Sequence, residues 1–323
     1  MTIGISGFSR FVTELNHRAA EDDAESLAGW AVDELSHSLG FDAAWYGWAT
    51  LRPDCVEVYA NATLNLPDDY HANWLLIADQ DLLAAAIVEK PSSVAQYDRR
   101  QRAQSDGMAY LADRYGLTRM ATAMNGGVNS FASFYLSSYR VGTNSRVMTD
   151  DERDFLKCAV DQLSSAMKLS PAEPGRIGIP NSVSLLVSES GIGLLGLSSL
   201  REQFGEIWPR WTGDHLPEQL SRLVGKPGIH ILPDRQLVVK VEATPRFQGM
   251  GLWRLSLRRL NKIDLLTNRE KQVARQLCTG QSAKEVAQSL GIAPATVRNQ
   301  TQSIYQKLEV DNRAALAALV NAP

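Results

Sequence analysis

Near the C-terminal end, Ala295, Arg298, Asn299, Gln302 and Gln306 recur at steps of three and four residues, so on a helix they form one stripe. Arg, Asn and Gln are the side chains whose donors and acceptors match the edges of guanine and adenine in the major groove. Val297, Thr301, Ile304 and Leu308 recur on the opposite side at the spacing of a buried seam. A polar stripe of this composition points to base-edge recognition in double-stranded DNA. From the stripe alone, a helical cap with a solvated face stays open as the alternative.

A second concentration lies near the front. Trp45, Tyr46, Trp48, Tyr59, Tyr70 and Trp74 fall within 30 residues, although aromatics make up only 7% of the chain. Buried Tyr and Trp need partners for their polar ends, which makes them common walls of small-molecule pockets. With Asp81 they form the candidate ligand set, for an aromatic or apolar effector; ordinary core packing is the competing reading. Trp208 and Trp211, around Pro209, read better as a seal between segments than as a second site.

Catalytic constellations are missing from the sequence. It contains no GxSxG, HExxH, GxGxxG or GxxxxGK[ST]. His17, His37, His71, His215 and His230 show no ligand spacing with one another or with a cysteine. Neither enzyme activity, cofactor nor metal is expected. Cys55, Cys158 and Cys278 lie far apart and read as reduced. No apolar run approaches the roughly 20 residues a membrane span needs, and the N-terminus lacks a signal peptide's pattern. The expected location is the cytoplasm.

The elements that must position these residues fall into three segments. Residues 10–168 open with a helical pattern, Ala24–Leu39, and close with another, Thr149–Met167. Strand-like stretches lie between them at Ala43–Ala49, Cys55–Ala60, Met120–Met124 and Ser130–Ser138, and Asn125-Gly126-Gly127 signals a turn joining the last two. Helices flanking an antiparallel sheet predict an α+β domain. A break follows at 170–175. Residues 176–262 read as two strands, short helices and three strands, and residues 266–323 as all-α. Charge follows the same division: 14 Lys/Arg against 24 Asp/Glu in 1–175, 12 against 8 in 176–264, and 7 against 4 in 266–323. An acidic front and a mildly basic rear suit a DNA-binding tail on a regulatory body.

Within the tail, Thr267-Asn-Arg-Glu270 and Ser282-Ala-Lys-Glu285 are capping boxes, Gly280 and Gly291 are helix stops, Pro294 suits a first helical position and Asp311 is a candidate cap for a fourth helix. A capped helix, a tight turn and a polar-faced helix is helix-turn-helix order. Leu266-Thr267-x-Arg269-Glu270, Val273, Gly280, Lys284-Glu285-Val286-Ala287, Leu290, Thr296-Val297-Arg298-Asn299, Ile304, Lys307-Leu308 and Asn312-Arg313 resemble the LuxR-type helix-turn-helix signature. Ala293 and Gln300 depart from it, standing where a Ser or Thr cap and a His are frequent. The resemblance implies that Arg298, Asn299 and Gln302 read base edges, that Val297 touches a thymine methyl, and that Lys284, Thr296 and Lys307 hold phosphates. It also implies a homodimer paired through the fourth helix, whose Ala314, Ala315, Ala317 and Ala318 permit close approach.

LuxR-type tails follow a receiver, a ligand sensor or an ATPase module. The acidic run Glu21-Asp22-Asp23 precedes a helix rather than following a strand, and Asp54 follows Pro53 in a turn, which argues against a receiver. Residues 10–168 resemble GAF domains and the related acyl-homoserine-lactone-binding domain of quorum receptors. The carrying stretch is Leu66-Pro67, Tyr70 and Trp74, then Asp79 and Asp81, where the resemblance implies a Tyr/Trp wall leading to an aspartate that grips the ligand. Leu82 stands where a proline usually follows, and no lactone is inferred. The order within 176–262 resembles a PAS-like domain. The expected protein is therefore multidomain: an α+β GAF-like sensor, a smaller α+β PAS-like middle domain and an all-α four-helix LuxR-type domain. The expected function is ligand-responsive transcription regulation without membrane contact; the alternative is constitutive DNA binding with front domains that dock a protein partner.

Overall fold

A computed structural model describes residues 4–53, 55–91, 93–101, 104–126, 131–169 and 182–320. Asp54, Gly127 and the 170–175 break lie outside the described residues. The chain divides into two compact units, Met1–His230 with Lys240–Leu257, and Ile231–Val239 with Arg258–Pro323.

The front of the first unit runs α1 (Ile5–Arg18), α2 (Ala24–Leu39), β1 (Ala43–Leu51), β2 (Val56–Leu64), α3 (Tyr70–Leu75), α4 (Leu82–Glu89), β3 (Ala95–Asp98), α5 (Asp106–Tyr115), β4 (Leu117–Met124), β5 (Ser133–Val141) and α6 (Asp150–Leu169). The strands form an antiparallel sheet in the order β2-β1-β5-β4-β3, with helices on both faces. Strand alternation sends Ala44, Tyr46 and Trp48 into one core with α1, α2 and α6, and Ala43, Trp45, Ala49 and Leu51 into the other with α3, α4 and α5. A register shift opposite Trp48/Ala49 pairs Trp48 with Ala60 but Ala49 with Val58. This bulge puts Tyr59 and Ala60 on the same side of β2, and re-aims the strand's outer half.

Gly47 leaves no room for a side chain against β2. A Cβ there would sit 1.9 Å from the Ala60 carbonyl oxygen. Gly47→Ala should therefore force the two strands apart and cost about 1–3 kcal/mol, read as a lower denaturant midpoint of the intact chain.

The second sheet continues with β6 (Val183–Ser188), β7 (Gly193–Leu195), α7 (Leu197–Phe204), α8 (Glu218–Ser221), β8 (Gly228–Leu232), β9 (Leu237–Phe247) and β10 (Met250–Arg259). Its order, β7-β6-β10-β9-β8, repeats that of the first sheet when each sheet's strands are numbered by sequence. The sheet does not stand as a separate body. Leu186, Leu194, Leu195, Phe247 and Leu252 share the first sheet's α1/α2/α6 core, and the Phe247 ring meets Trp48 edge-on at 4.8 Å. Trp211 stacks on Phe131 at 5.4 Å, so it serves as a seal. Ile231–Val239 belongs to the second unit, where the Leu260 amide donates to the Gln236 carbonyl at 2.7 Å.

The C-terminal segment holds α9 (Asn268–Cys278), α10 (Ala283–Leu290), α11 (Pro294–Leu308) and α12 (Arg313–Val320). Thr267/Glu270 and Ser282/Glu285 both form reciprocal capping boxes, and Gly291 ends α10 in the left-handed region at φ 63°. Ala293 provides no side-chain cap, and α11 starts on Pro294. Asn312 rather than Asp311 caps α12, its side chain accepting from the Ala315 amide at 2.9 Å. Val273, Val286, Val297, Ile304, Leu308 and Leu316 form the shared core.

Two capping-box carboxylates bind more than their helix ends. Glu152 accepts from the Thr149 amide and from Arg140 and Arg146; Glu270 accepts from the Thr267 amide, Ser303 and both-sidedly from Lys307 at 2.8 Å. Burial acts to raise both carboxyls, but these partners outweigh it and hold each down at about 2, against an ordinary 4.5. A carboxyl depressed by folding adds stability that is complete above its unfolded value and lost as pH falls toward the folded one. Denaturant midpoints should therefore fall between pH about 4.5 and about 2, with a shallower fall in the Glu152→Gln/Glu270→Gln double variant.

Candidate functional site

The polar stripe of α11 faces outward. Ala295, Thr296, Arg298, Asn299, Gln302 and Gln306 are exposed, as is Lys284 on α10, while Val297, Ile304 and Leu308 are buried on the reverse side. The stripe stands free because α11 is anchored by that seam and by contacts behind it. Two members of the expected DNA set belong to the anchor. Val297 is fully buried, and its carbonyl accepts the Thr301 hydroxyl at 2.7 Å, so it holds the helix in place and does not reach a thymine methyl. The Lys307 ammonium donates to both oxygens of Glu270, which ties the end of α11 to the start of α9. Gln300 turns inward with a buried side-chain oxygen. On α12, Ala314 and Ala318 are exposed, with Leu316 buried between them.

Residues 264–320 match the family described as "Bacterial regulatory proteins, luxR family". This segment is a LuxR-family helix-turn-helix domain. It is 50% identical over 48 residues to the transcriptional regulatory protein DesR of Bacillus subtilis (strain 168), covering 15% of this chain and 24% of DesR. It is 44% identical over 54 residues to the transcriptional regulatory protein UhpA of Escherichia coli (strain K12), covering 17% and 28%. The chain thus spans about a quarter of these relatives' own length. A solved structure titled as the N-acylhomoserine-lactone-dependent LuxR-family factor CepR2 from Burkholderia cenocepacia is similar at 16% identity, covering 50% of this chain and 93% of that one, with a TM-score of 0.37. No described helix is long and apolar enough to cross a membrane.

The candidate ligand residues divide between the two faces of the front sheet. Trp45, Tyr70, Trp74 and Asp81 come together under α3 and α4, with the Trp45 ring 4.9 Å from Trp74 and 5.5 Å from Tyr70. Tyr46, Trp48 and Tyr59 lie on the opposite face, packed with or against the α1/α2/α6 core, and cannot line the same pocket. Odd and even positions of β1 point apart, and the bulge sends Tyr59 with the even set.

On the Trp45 face a chamber of about 40 Å³ is lined by residues including Trp45, Leu51, Val58, Ile87, Met124 and Tyr135. Next to it opens a vestibule of about 270 Å³, and Val56, Asp81 and Ala84 border both spaces. Asp81 begins α4: one oxygen accepts the Leu83 and Ala84 amides at 2.8 and 3.1 Å, the other the Trp74 indole at 2.8 Å. Burial pushes its carboxyl above the ordinary range. Asp81 is thus first a helix cap and an anchor for Trp74, with lone-pair capacity left over. Tyr70 donates to the Tyr139 hydroxyl at 2.8 Å, and Trp45 to Asn61 at 3.0 Å.

Tyr135 was not among the candidates. Its ring lies 5.1 Å from Trp45, its hydroxyl is buried without a hydrogen-bond partner, and burial holds the phenol well above its usual range. The signal was available, since Tyr135, Ser137 and Tyr139 alternate on one strand. A second missed residue is Asp214, between the two sheets. One oxygen accepts Thr50 Oγ1, Arg52 Nη2 and Tyr59 Oη, each at 2.8 Å.

Proposed function

We propose that the chain is a cytoplasmic, ligand-responsive transcriptional regulator that acts as a homodimer on double-stranded DNA. The observation that carries the reading is the exposed Arg298/Asn299/Gln302 stripe on a helix whose reverse side is buried, inside a LuxR-family domain. Arg298, Asn299 and Gln302 read base edges, and Lys284 and Thr296 hold phosphates, which fixes register without reading sequence. A small molecule enters between the front sheet and α3/α4, against Trp45, Trp74 and Tyr135. A recess walled by Trp45, Trp74, Ile87 and Tyr135 suits a small apolar or aromatic effector.

An effector moves an equilibrium only by its unequal affinity for the two states. β1 and β2 are suited to transmit that difference. They contribute Ala49, Leu51, Val56 and Val58 to the chamber on one face, and Thr50, Arg52 and Tyr59 to Asp214 on the other. The test is operator affinity of the intact chain with and without bound effector, beside a Trp45→Ala variant. A ligand-dependent change in the wild type that disappears in the variant supports the reading; constitutive DNA binding unaltered by any bound molecule removes the ligand-responsive part.

A further inference from the structure

The edge of the second sheet combines exposed apolar side chains with a symmetric pattern of charge. β8 is the outer strand of β7-β6-β10-β9-β8, so one side of its backbone has no strand beside it. Ile229 and Ile231 share one face of β8 and are 68% and 37% exposed, while His230, on the other face, is half-buried with its ring against the Lys226 carbonyl at 2.8 Å. A charged side chain within an edge strand is a common guard against strand addition, and no Lys, Arg, Asp or Glu falls within Gly228–Leu232. Pro227 precedes the stretch, and the chain leaves it in a 3₁₀ turn at Pro233–Arg235. Just outside the prolines stand Lys226 and Asp234. Both are exposed, and neither charge has a partner among the described residues.

We propose that β8 pairs antiparallel with β8 of a second copy, joining the two second sheets edge to edge; this rests on the homodimer reading and names one of its surfaces. The segment Lys226-Pro-Gly-Ile-His230-Ile-Leu-Pro-Asp234 is laid out symmetrically about His230, with isoleucines one residue away, prolines three and opposite charges four. Directly opposed residues of antiparallel strands point to the same face. A two-fold axis through His230 meets that condition and sets Ile229 of each copy against Ile231 of the other. The same axis brings each Lys226 to Asp234 of the other copy, so both unpaired charges are answered twice over. Parallel pairing would set Lys beside Lys and Asp beside Asp. The charge pattern thus selects a second copy in this orientation, an interface in which one patch serves both partners.

The experiment is sedimentation of the intact protein at low salt, joined to disulfide trapping. Lys226→Asp and Asp234→Lys should each weaken dimerisation about tenfold, because each sets like charges together at two places, and the exchange variant Lys226→Asp/Asp234→Lys should restore it. Both side chains are exposed, so the melting curves should stay in place. His230→Cys should form a disulfide between copies under mild oxidation, since opposed residues of an antiparallel pair lie within disulfide span. The wild type, whose Cys55 and Cys158 are exposed, sets the baseline. A dimer indifferent to the charge reversals, one that the exchange variant fails to restore, or one without a His230→Cys disulfide above baseline overturns the β8 pairing. Each of these leaves the edge to a different chain and the homodimer reading standing. A monomer at every concentration, with and without duplex DNA, overturns both.

Discussion

Replacing Asp214 by alanine should lower the stability of the intact chain by about 3 kcal/mol, the low end of the range for breaking a buried ion pair. The Asp214 side chain is only 1% exposed and collects a hydroxyl, a guanidinium and a phenol on one oxygen. Its removal takes away the acceptor of the fully buried Thr50 hydroxyl and leaves Arg52 and Tyr59 to Glu57. Arg52 keeps 29% exposure, so solvent absorbs part of the loss, which places the expectation at the low end. Asp214→Asn retains one acceptor and should cost less. Urea melts decide it: a loss under about 1 kcal/mol for Asp214→Ala would mean that the two sheets are held by the Trp48/Phe247 core and not by this carboxylate.

The stability effect has a functional companion. Thr50 and Arg52 alternate along β1 and its end with Ala49 and Leu51, so chamber wall and inter-sheet contact share one short stretch of backbone. In Asp214→Ala, any effect of a bound molecule on DNA affinity should weaken even where its binding is retained.

What could be read from residues alone follows the distance over which each feature is decided. The capping boxes at Thr267/Glu270 and Ser282/Glu285 and the Gly291 stop are settled within four residues, so the helices of the C-terminal domain were legible in detail. The strands around Trp45 and Met120 were legible from alternation. Which face an aromatic takes was less so. A single bulge opposite Trp48/Ala49 changes the parity of β2, and the split of Trp45 from Tyr46 and Trp48 follows only once β1 is known to be covered on both sides. Contacts between distant segments were out of reach. Asp214 meets Thr50 across 164 positions and Lys307 meets Glu270 across 37, and no local pattern marks either pair. The same limit hid the merging of the second sheet into the front core, because Leu194 and Phe247 look like the interior of an independent domain until their neighbours are seen.

Arg298→Ala should weaken binding to the specific operator by about 1–3 kcal/mol and flatten preference at one base pair, while leaving affinity for unrelated duplex nearly unchanged. Its side chain is exposed on the free face of α11, so removal should leave the melting curve in place. Lys284→Ala should instead lower affinity for all duplexes alike and reduce the salt slope by about one. Lys307→Ala belongs to a third kind. Because that ammonium holds Glu270, its loss should appear first as lowered stability of the C-terminal domain. Equal losses for Arg298→Ala on operator and random DNA would contradict the division of roles along α11.

Selection of bound molecules from a random duplex pool by the intact protein tests most directly whether the outward face of α11 reads duplex sequence. The expected result is enrichment of a motif with two-fold symmetry, specified by purine contacts in each half, with one position in each half relaxed by Arg298→Ala. Recovery of a pool no different from the input would contradict it, as would an enriched motif that Arg298→Ala, Asn299→Ala and Gln302→Ala all leave intact.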